Sequence, residues 1–295
     1  LAEGALRWRG VSGALPFCSG ACQASPGANG CGALAVTPVR KIVSLVPSLT
    51  QTLFDFGLGD LLVGVTRYCV EPSEGVAGIK TVGGTKNPNL TEIVDLEPDI
   101  VLVNSEENRL QDIVWLEERF EICETAPRSV LGVTEMLEDL GVRLGCQVEA
   151  EAFILQIRAE LTRIEIEGCG RQRLRVFAPV WKAPWMSFND DTYLHDLLKT
   201  AGADNVCADF QDRYPVISED VIGDLRPDLV LLPSEPFPFD VPHQSEILRS
   251  GMFPGCPVLL VDGRDYTWHG SMTGPALGRI HDFLLGHRRL VGASD

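Results

Sequence analysis

Acidic, aromatic and thiol side chains gather where extended segments of this chain should end. Glu106, with Glu107 beside it, and Glu235 each follow an unbroken apolar run and a serine. Two carboxylates at such places can face a shared ligand or a metal. Thr66-Arg-Tyr-Cys-Val-Glu-Pro72 compresses a cation (Arg67), a ring (Tyr68), a thiol (Cys69) and a carboxylate (Glu71) into one turn. Cys69 and Glu71, with His269 of Tyr266-Thr-Trp-His-Gly-Ser271, are transition-metal ligands by type, though they come from distant segments. Trp181, Trp185, Phe188, Phe237, Phe239 and Trp268 lie mostly just after expected strands, in stretches stiffened by proline, which suits a large, flat, partly apolar ligand.

Each group also has a structural explanation. Ser105 and Ser234 suit helix N-caps, and an acid in a first helical turn favours the helix dipole. A core cysteine and a loop histidine account for Cys69 and His269 more readily than a metal does, and rings commonly pack beneath loops. Other chemistries lack their first requirement. Gly57-Leu-Gly59 and Gly168-Cys-Gly170 follow helices rather than strands and complete no nucleotide fingerprint. Neither a Gly-x-Ser-x-Gly elbow nor a His-Glu-x-x-His pair is present, so an enzyme is not the expectation and no catalytic residue is assigned.

Placing these groups at one edge requires parallel strands, and the chain carries their signature twice. Leu96-Glu-Pro-Asp-Ile-Val-Leu-Val-Asn-Ser-Glu106 matches Leu225-Arg-Pro-Asp-Leu-Val-Leu-Leu-Pro-Ser-Glu235 at seven of eleven positions. Each copy ends a helix, stops at proline and continues as an apolar run without alternation, the mark of a strand covered on both faces. Strands at 41–46, 62–66, 99–103 and 120–124 alternate with helices from 47, 90 and 108, and strands at 174–179, 228–232 and 258–261 alternate with helices at 192–201, 218–225, 243–249 and 273–287. That order predicts an α/β fold of two lobes with parallel sheets. Between them, 145–167 lacks internal glycine and proline and reads as one helix of about 33 Å.

The 295 residues suffice for two such lobes. A charge of −16, from 41 acids and 25 bases, with no basic run, argues against a nucleic-acid partner. No apolar stretch reaches the roughly 18 residues of a membrane span. Six of the nine cysteines lie singly in apolar surroundings, and Cys18, Cys22 and Cys31 match no zinc spacing, so no disulfide framework is expected. Residues 1–38 read as a disordered leader without a visible secretion signal, which leaves a cytoplasmic location open.

Ile42-Val-Ser-Leu-Val-Pro-Ser-Leu-Thr-Gln-Thr-Leu53, Val82-Gly-Gly-Thr-Lys-Asn-Pro88, the Pro-Asp-Ile-Val-Leu strand and its repeat, in this order, resemble the iron-siderophore and cobalamin family of ABC-transporter substrate-binding proteins, the helical backbone metal receptors. The similarity runs from about 39 to 287. It implies two Rossmann-like lobes at 39–144 and 169–290, joined by a single long helix at 145–168, the class III periplasmic-binding-protein architecture. It further implies a monomer without an intrinsic cofactor that carries a metal chelate to an ABC permease dimer, in the periplasm or at the cell surface. Cobalamin is the favoured ligand, because Tyr68, Trp181, Trp185 and Trp268 fall in loops that in relatives face a corrin-type ligand. Relatives carry one docking glutamate per lobe; counting back seven residues from Pro98 and Pro227 places Thr91 and Asp220 there, with Glu92 the acidic neighbour of Thr91. Where relatives would carry histidine after the Arg-Tyr-Cys turn, this chain has Glu71. The alternatives are a metal-dependent enzyme or chelatase using Cys69, Glu71 and His269, and an intracellular cofactor-binding protein.

Overall fold

Strand and helix alternate in both halves of the computed structural model, which describes residues 39–168 and 170–291, with side chains to 287. The expected leader, the Cys18, Cys22 and Cys31 cluster, and Cys169 lie outside the described residues. The first lobe runs β1 (Ile42–Ser44), α1 (Pro47–Asp55), β2 (Leu62–Val65), α2 (Ser73–Val76), β3 (Lys80–Thr81), a small antiparallel pair β4 (Gly83–Gly84) and β5 (Asn87–Pro88), α3 (Leu90–Leu96), β6 (Ile100–Asn104), α4 (Leu110–Glu117) and β7 (Glu121–Thr125). Its parallel sheet has the order β3-β2-β1-β6-β7. Alternate residues of β6 go to opposite cores: Ile100 and Leu102 join Leu49 and Leu53 of α1, while Val101 and Val103 meet Ile93 of α3 and Ile113 of α4. Cover on both faces is why the run shows no alternation.

Two packed helices follow, α5 (Val130–Leu144) and α6 (Gln147–Gly168). The expected linker helix corresponds to α6, which buries Ala150, Ile154, Ile157 and Ile164. The helix α5 has no counterpart among the expected elements. Ser129 caps it by accepting the Gly132 N–H at 2.9 Å, and Gly145, at φ 72°, ends it. Gly141 is needed for the crossing, since a Cβ there would stand 2.8 Å from the Ala150 methyl.

The second lobe comprises β8 (Leu174–Phe177), α7 (Tyr193–Ala201), β9 (Ala203–Asn205), α8 (Glu219–Asp224), β10 (Leu229–Pro233), α9 (Val241–Ser250), β11 (Val258–Val261), α10 (Gly263–Thr267) and α11 (Thr273–Val291). Its parallel sheet has the order β11-β10-β8-β9.

The repeated Leu-x-Pro-Asp unit has a physical role in both lobes. Its second residue, Glu97 or Arg226, takes a left-handed backbone (φ 50° and 45°) that breaks helical continuation before the proline. The aspartate then clips the neighbouring strand. Asp99 Oδ2 accepts the N–H groups of Arg40 (2.7 Å) and Lys41 (2.9 Å), and these donors hold its carboxyl below the usual range. Asp228 Oδ2 likewise accepts the Arg175 N–H at 2.8 Å.

Candidate ligand cleft

Both sheets reverse their strand order beside the first strand of the lobe. From β1 the chain moves outward to β2 and β3, then crosses to β6 on the other side; from β8 it moves to β9, then crosses to β10. Loops diverge at the carboxyl ends of strands flanking such a point, and the crevice they leave is where open α/β sheets take ligands. Glu106 and Glu107 follow β6 at the first switch point, and Glu235 follows β10 at the second.

The turn after β6 is rigid. Asn104 Oδ1 accepts the N–H groups of Glu106 (2.7 Å) and Glu107 (3.3 Å). Buried Asn108 accepts the Asn104 N–H at 2.8 Å and donates its amide to the carbonyls of Leu45 (3.2 Å) and Thr85 (3.0 Å). Neither serine is a helix cap: the helix α4 starts only at Leu110, after Arg109, and Ser234 Oγ accepts the Gly263 N–H at 2.9 Å. Each serine sits in a loop that continues past the strand end, which removes the capping explanation for the two acids.

Side chains bridge from lobe to lobe across this edge. Arg213 Nη2 donates to Glu106 Oε1, and the Tyr214 hydroxyl donates to Glu106 Oε2 at 2.7 Å. Arg264 Nη1 donates to Glu71 Oε1 at 3.0 Å. Deeper in the junction, Ser271 Oγ donates to Asp55 Oδ2 at 2.6 Å, and the Ser271 N–H to Thr52 Oγ1 at 3.2 Å. Glu107 is half-buried, and burial pushes its carboxyl up to about 7, with Glu235 and Glu106 adding to the shift and Lys86 opposing it. Burial also raises Glu235, against hydrogen bonds from Thr267 (2.8 Å) and Trp268.

The rings divide by exposure. Tyr68 is 55% exposed, with the Arg67 guanidinium 5.9 Å from its centroid. Trp181 is 43% exposed and meets half-buried Phe237 edge-on at 5.3 Å. Trp185 and Trp268 are buried, Trp185 stacking on Phe239 at 6.2 Å, and Phe188 lies wholly in the core.

The metal candidates do not converge. The buried Cys69 thiol is hydrogen-bonded with Thr50 (3.1 Å) and Thr66 (3.2 Å), and burial pushes its pKa up. Glu71 is committed to Arg264. Burial pushes His269 down to about 4, so it is neutral at pH 7, and its Nε2 has no hydrogen-bond partner. Among the described residues no three His, Cys, Asp or Glu side chains form a metal-ligand group. Cys123, Cys146, Cys207 and Cys256 are free, and burial pushes each thiol up to about 11.

Of the docking candidates, Glu92 pairs with Lys80 at 3.1 Å, and Asp220 lies exposed in the first turn of α8. Arg213, Tyr214 and Arg264 are absent from the sequence reading. A recurring Arg-Tyr dipeptide, at 67–68 and again at 213–214, is the signal that points to the first two. A hollow of about 530 Å³ lies elsewhere, beside Leu161, Arg171, Thr200 and His281.

Two α/β lobes with switch points on a common junction define the architecture of a ligand-capture protein. The chain belongs to the periplasmic binding protein family, whose model matches residues 42–250, and this is a family of binding proteins rather than of enzymes. It is 28% identical over 200 residues to an uncharacterized ABC transporter substrate-binding lipoprotein of Bacillus subtilis, covering 65% of this chain and 63% of the relative. It is 21% identical over 194 residues to the vitamin B12-binding protein of Vibrio cholerae (65% and 70%) and 26% identical over 202 residues to the cobalamin-binding protein of Halobacterium salinarum (65% and 53%). The match thus spans less than two thirds of two of these relatives. The fold superposes on the periplasmic vitamin B12 binding protein BtuF of Vibrio cholerae with a TM-score of 0.71 at 18% identity, covering 85% of this chain and 98% of that one. The periplasmic heme-binding protein RhuT of Roseiflexus gives 0.72 at 18% identity, with 84% and 99% covered. Among the described residues no helix is long and apolar enough to cross a membrane.

Proposed function

We propose that this protein captures cobalamin or a related metal chelate between its lobes, 39–144 and 169–290, for uptake by an ABC transporter. The observation that carries the reading is the pair of exposed rings that follow the carboxyl ends of β2 and β8, Tyr68 in the first lobe and Trp181 in the second, in sheets whose switch-point strands β6 and β10 are each followed by carboxylates. Soluble cores do not need rings so placed, whereas a flat chelate does. Cobalamin leads because two relatives are named for it; haem is second, because a structural neighbour is named for it.

Arg67, Tyr68, Glu107, Trp181, Glu235 and Phe237 line the ligand in this reading, Glu106 stands at the rim where it is bound to Arg213 and Tyr214, and Cys69, Trp185, Trp268 and His269 support them from beneath. Glu92 and Asp220 form the permease-facing pair, the protein works as a monomer outside the cytoplasmic membrane, and the chelate brings its own metal. Spectral titration and thermal shift with cyanocobalamin, hemin and a ferric siderophore test the reading. Ligand at a hundredfold above its Kd stabilises by about 2.7 kcal/mol. No response to any of the three refutes capture of such chelates. D220K should leave binding intact and abolish stimulation of a reconstituted permease; unchanged stimulation removes Asp220 from the docking face.

A further inference from the structure

We propose that Arg213 and Tyr214 are the second lobe's fork for an acceptor oxygen of the ligand, a peripheral carboxylate or carboxamide, and that the Glu106 carboxylate competes with the ligand for this fork. The inference rests on the capture reading above and assigns it two residues and a mode of entry.

The protein's own carboxylate shows what the fork accepts. Arg213 Nη2 takes one oxygen of Glu106 and the Tyr214 hydroxyl takes the other, so both acceptor positions are held at once. Two donors converging on two oxygens is the geometry that recognises a planar carboxylate or, with one oxygen, a carboxamide carbonyl. The fork is also built to survive the departure of Glu106. Arg213 is fixed from behind by the Asp191 carbonyl at 2.9 Å and the Asp191 carboxylate at 3.3 Å, both in its own lobe.

Glu106 is the occupant that can leave. Its backbone is tied to the first lobe by Asn104, and its carbonyl accepts from Lys86 Nζ at 2.6 Å, while its carboxylate oxygens reach only across the junction. Side-chain exposures of 27% for Glu106 and 31% for Arg213 leave the pair within reach of an incoming molecule. Arg264 repeats the arrangement: it is backed in its own lobe by Asp262 at 2.9 Å and reaches across to Glu71 at 3.0 Å. Each bridge sets a first-lobe carboxylate on a second-lobe arginine that its own lobe already holds. A chelate bearing acceptor oxygens on its rim replaces the carboxylate and leaves the arginine where it stands.

This exchange makes the two sides of the bridge respond in opposite directions. E106Q weakens the internal competitor, so affinity should rise about tenfold, the scale of one charge-assisted hydrogen bond. R213Q and Y214F remove ligand donors, so affinity should fall about tenfold or more. Cyanocobalamin, with carboxamides on its rim, and hemin, with two carboxylates, are the probes, and the one bound by the wild-type protein identifies the acceptor. A loss of affinity in E106Q, or no change in R213Q and Y214F, overturns the fork. A second measurement stands apart from the ligand. Without added ligand, hydrogen exchange at Asp212–Tyr214 and Asn104–Asn108 should quicken about tenfold or more in E71Q/E106Q; unchanged exchange in that double variant overturns the bridges as a restraint on the two lobes. If the wild-type protein binds neither probe but exchange quickens, the capture reading fails for these ligands and the self-occupied bridge stands.

Discussion

Glu107 provides the most quantitative test of the cleft. Its carboxyl is held at about 7 instead of the ordinary 4.5, chiefly by burial and then by Glu235 and Glu106. Below pH 4.5 the group is protonated whether the chain is folded or not, and it contributes no difference. Between 4.5 and about 7 the folded protein keeps a proton that the unfolded chain has released, so stability falls as pH rises through this window. Above 7 both states are ionised and the full penalty stands. At about 1.4 kcal/mol per pH unit of displacement this amounts to about 3 kcal/mol, and solvent at the half-buried side chain lowers it to about 2 kcal/mol.

Substituting Glu107→Gln keeps the shape and removes the charge. At pH 8 the variant should therefore melt higher, by roughly 4–8 °C for a chain of this size, while at pH 4.5 the two proteins should coincide. Calorimetry from pH 4.5 to 8.5 gives both curves. Parallel wild-type and variant curves, or a variant that melts lower at pH 8, would refute the argument that this carboxyl is desolvated between like charges. A positive result would mean that the switch point stores instability, as sites preorganised for a ligand do.

Trp181→Ala should weaken chelate binding about tenfold with little change in melting, whereas Trp185→Ala should cost about 3–5 kcal/mol of stability, because its ring is core; denaturant titration beside the binding assay separates them. Asn108→Ala should cost about 2–3 kcal/mol by orphaning the Leu45 and Thr85 carbonyls and the Asn104 N–H, with faster hydrogen exchange at 104–108; a change under about 0.5 kcal/mol would show that the rim does not depend on it. Gly270→Ala places a methyl onto Thr52 Oγ1 at a backbone φ of 114°, so melting should fall by several degrees and small-angle scattering should show the lobes displaced; an unchanged profile would contradict the tight junction.

What the sequence discloses is what local physics determines. The Leu-x-Pro-Asp repeat announced two lobes because proline, apolar runs and strand clipping act within about ten residues of each other, and β6 and β10 lie where their runs place them. The helix α5 escaped for a complementary reason. Its start, Ser129-Val-Leu-Gly-Val-Thr, carries a glycine and β-branched residues that read as loop or strand, and what makes it a helix is packing against α6 through Gly141 and Ala150. Glu106, Glu107 and Glu235 could be placed at the rim because strand ends are visible, yet the partner of Glu106 could not, since Arg213 lies more than a hundred residues away in a segment without periodicity. Exposure of rings is hidden in the same way: Trp181 and Trp185 sit four residues apart in one proline-stiffened loop, and only the tertiary fold sends one to solvent and the other under Phe239. Arg213-Tyr214 repeats the Arg67-Tyr68 dipeptide, with the guanidinium near the ring in each pair (5.8 and 5.9 Å), but not at the 129-residue offset of the strands. The two pairs are therefore not copies of one duplicated turn. The same chemical pair stands on both lobes in unrelated positions; under the proposed capture the two would meet one ligand from two sides, and the fork experiment puts that at risk.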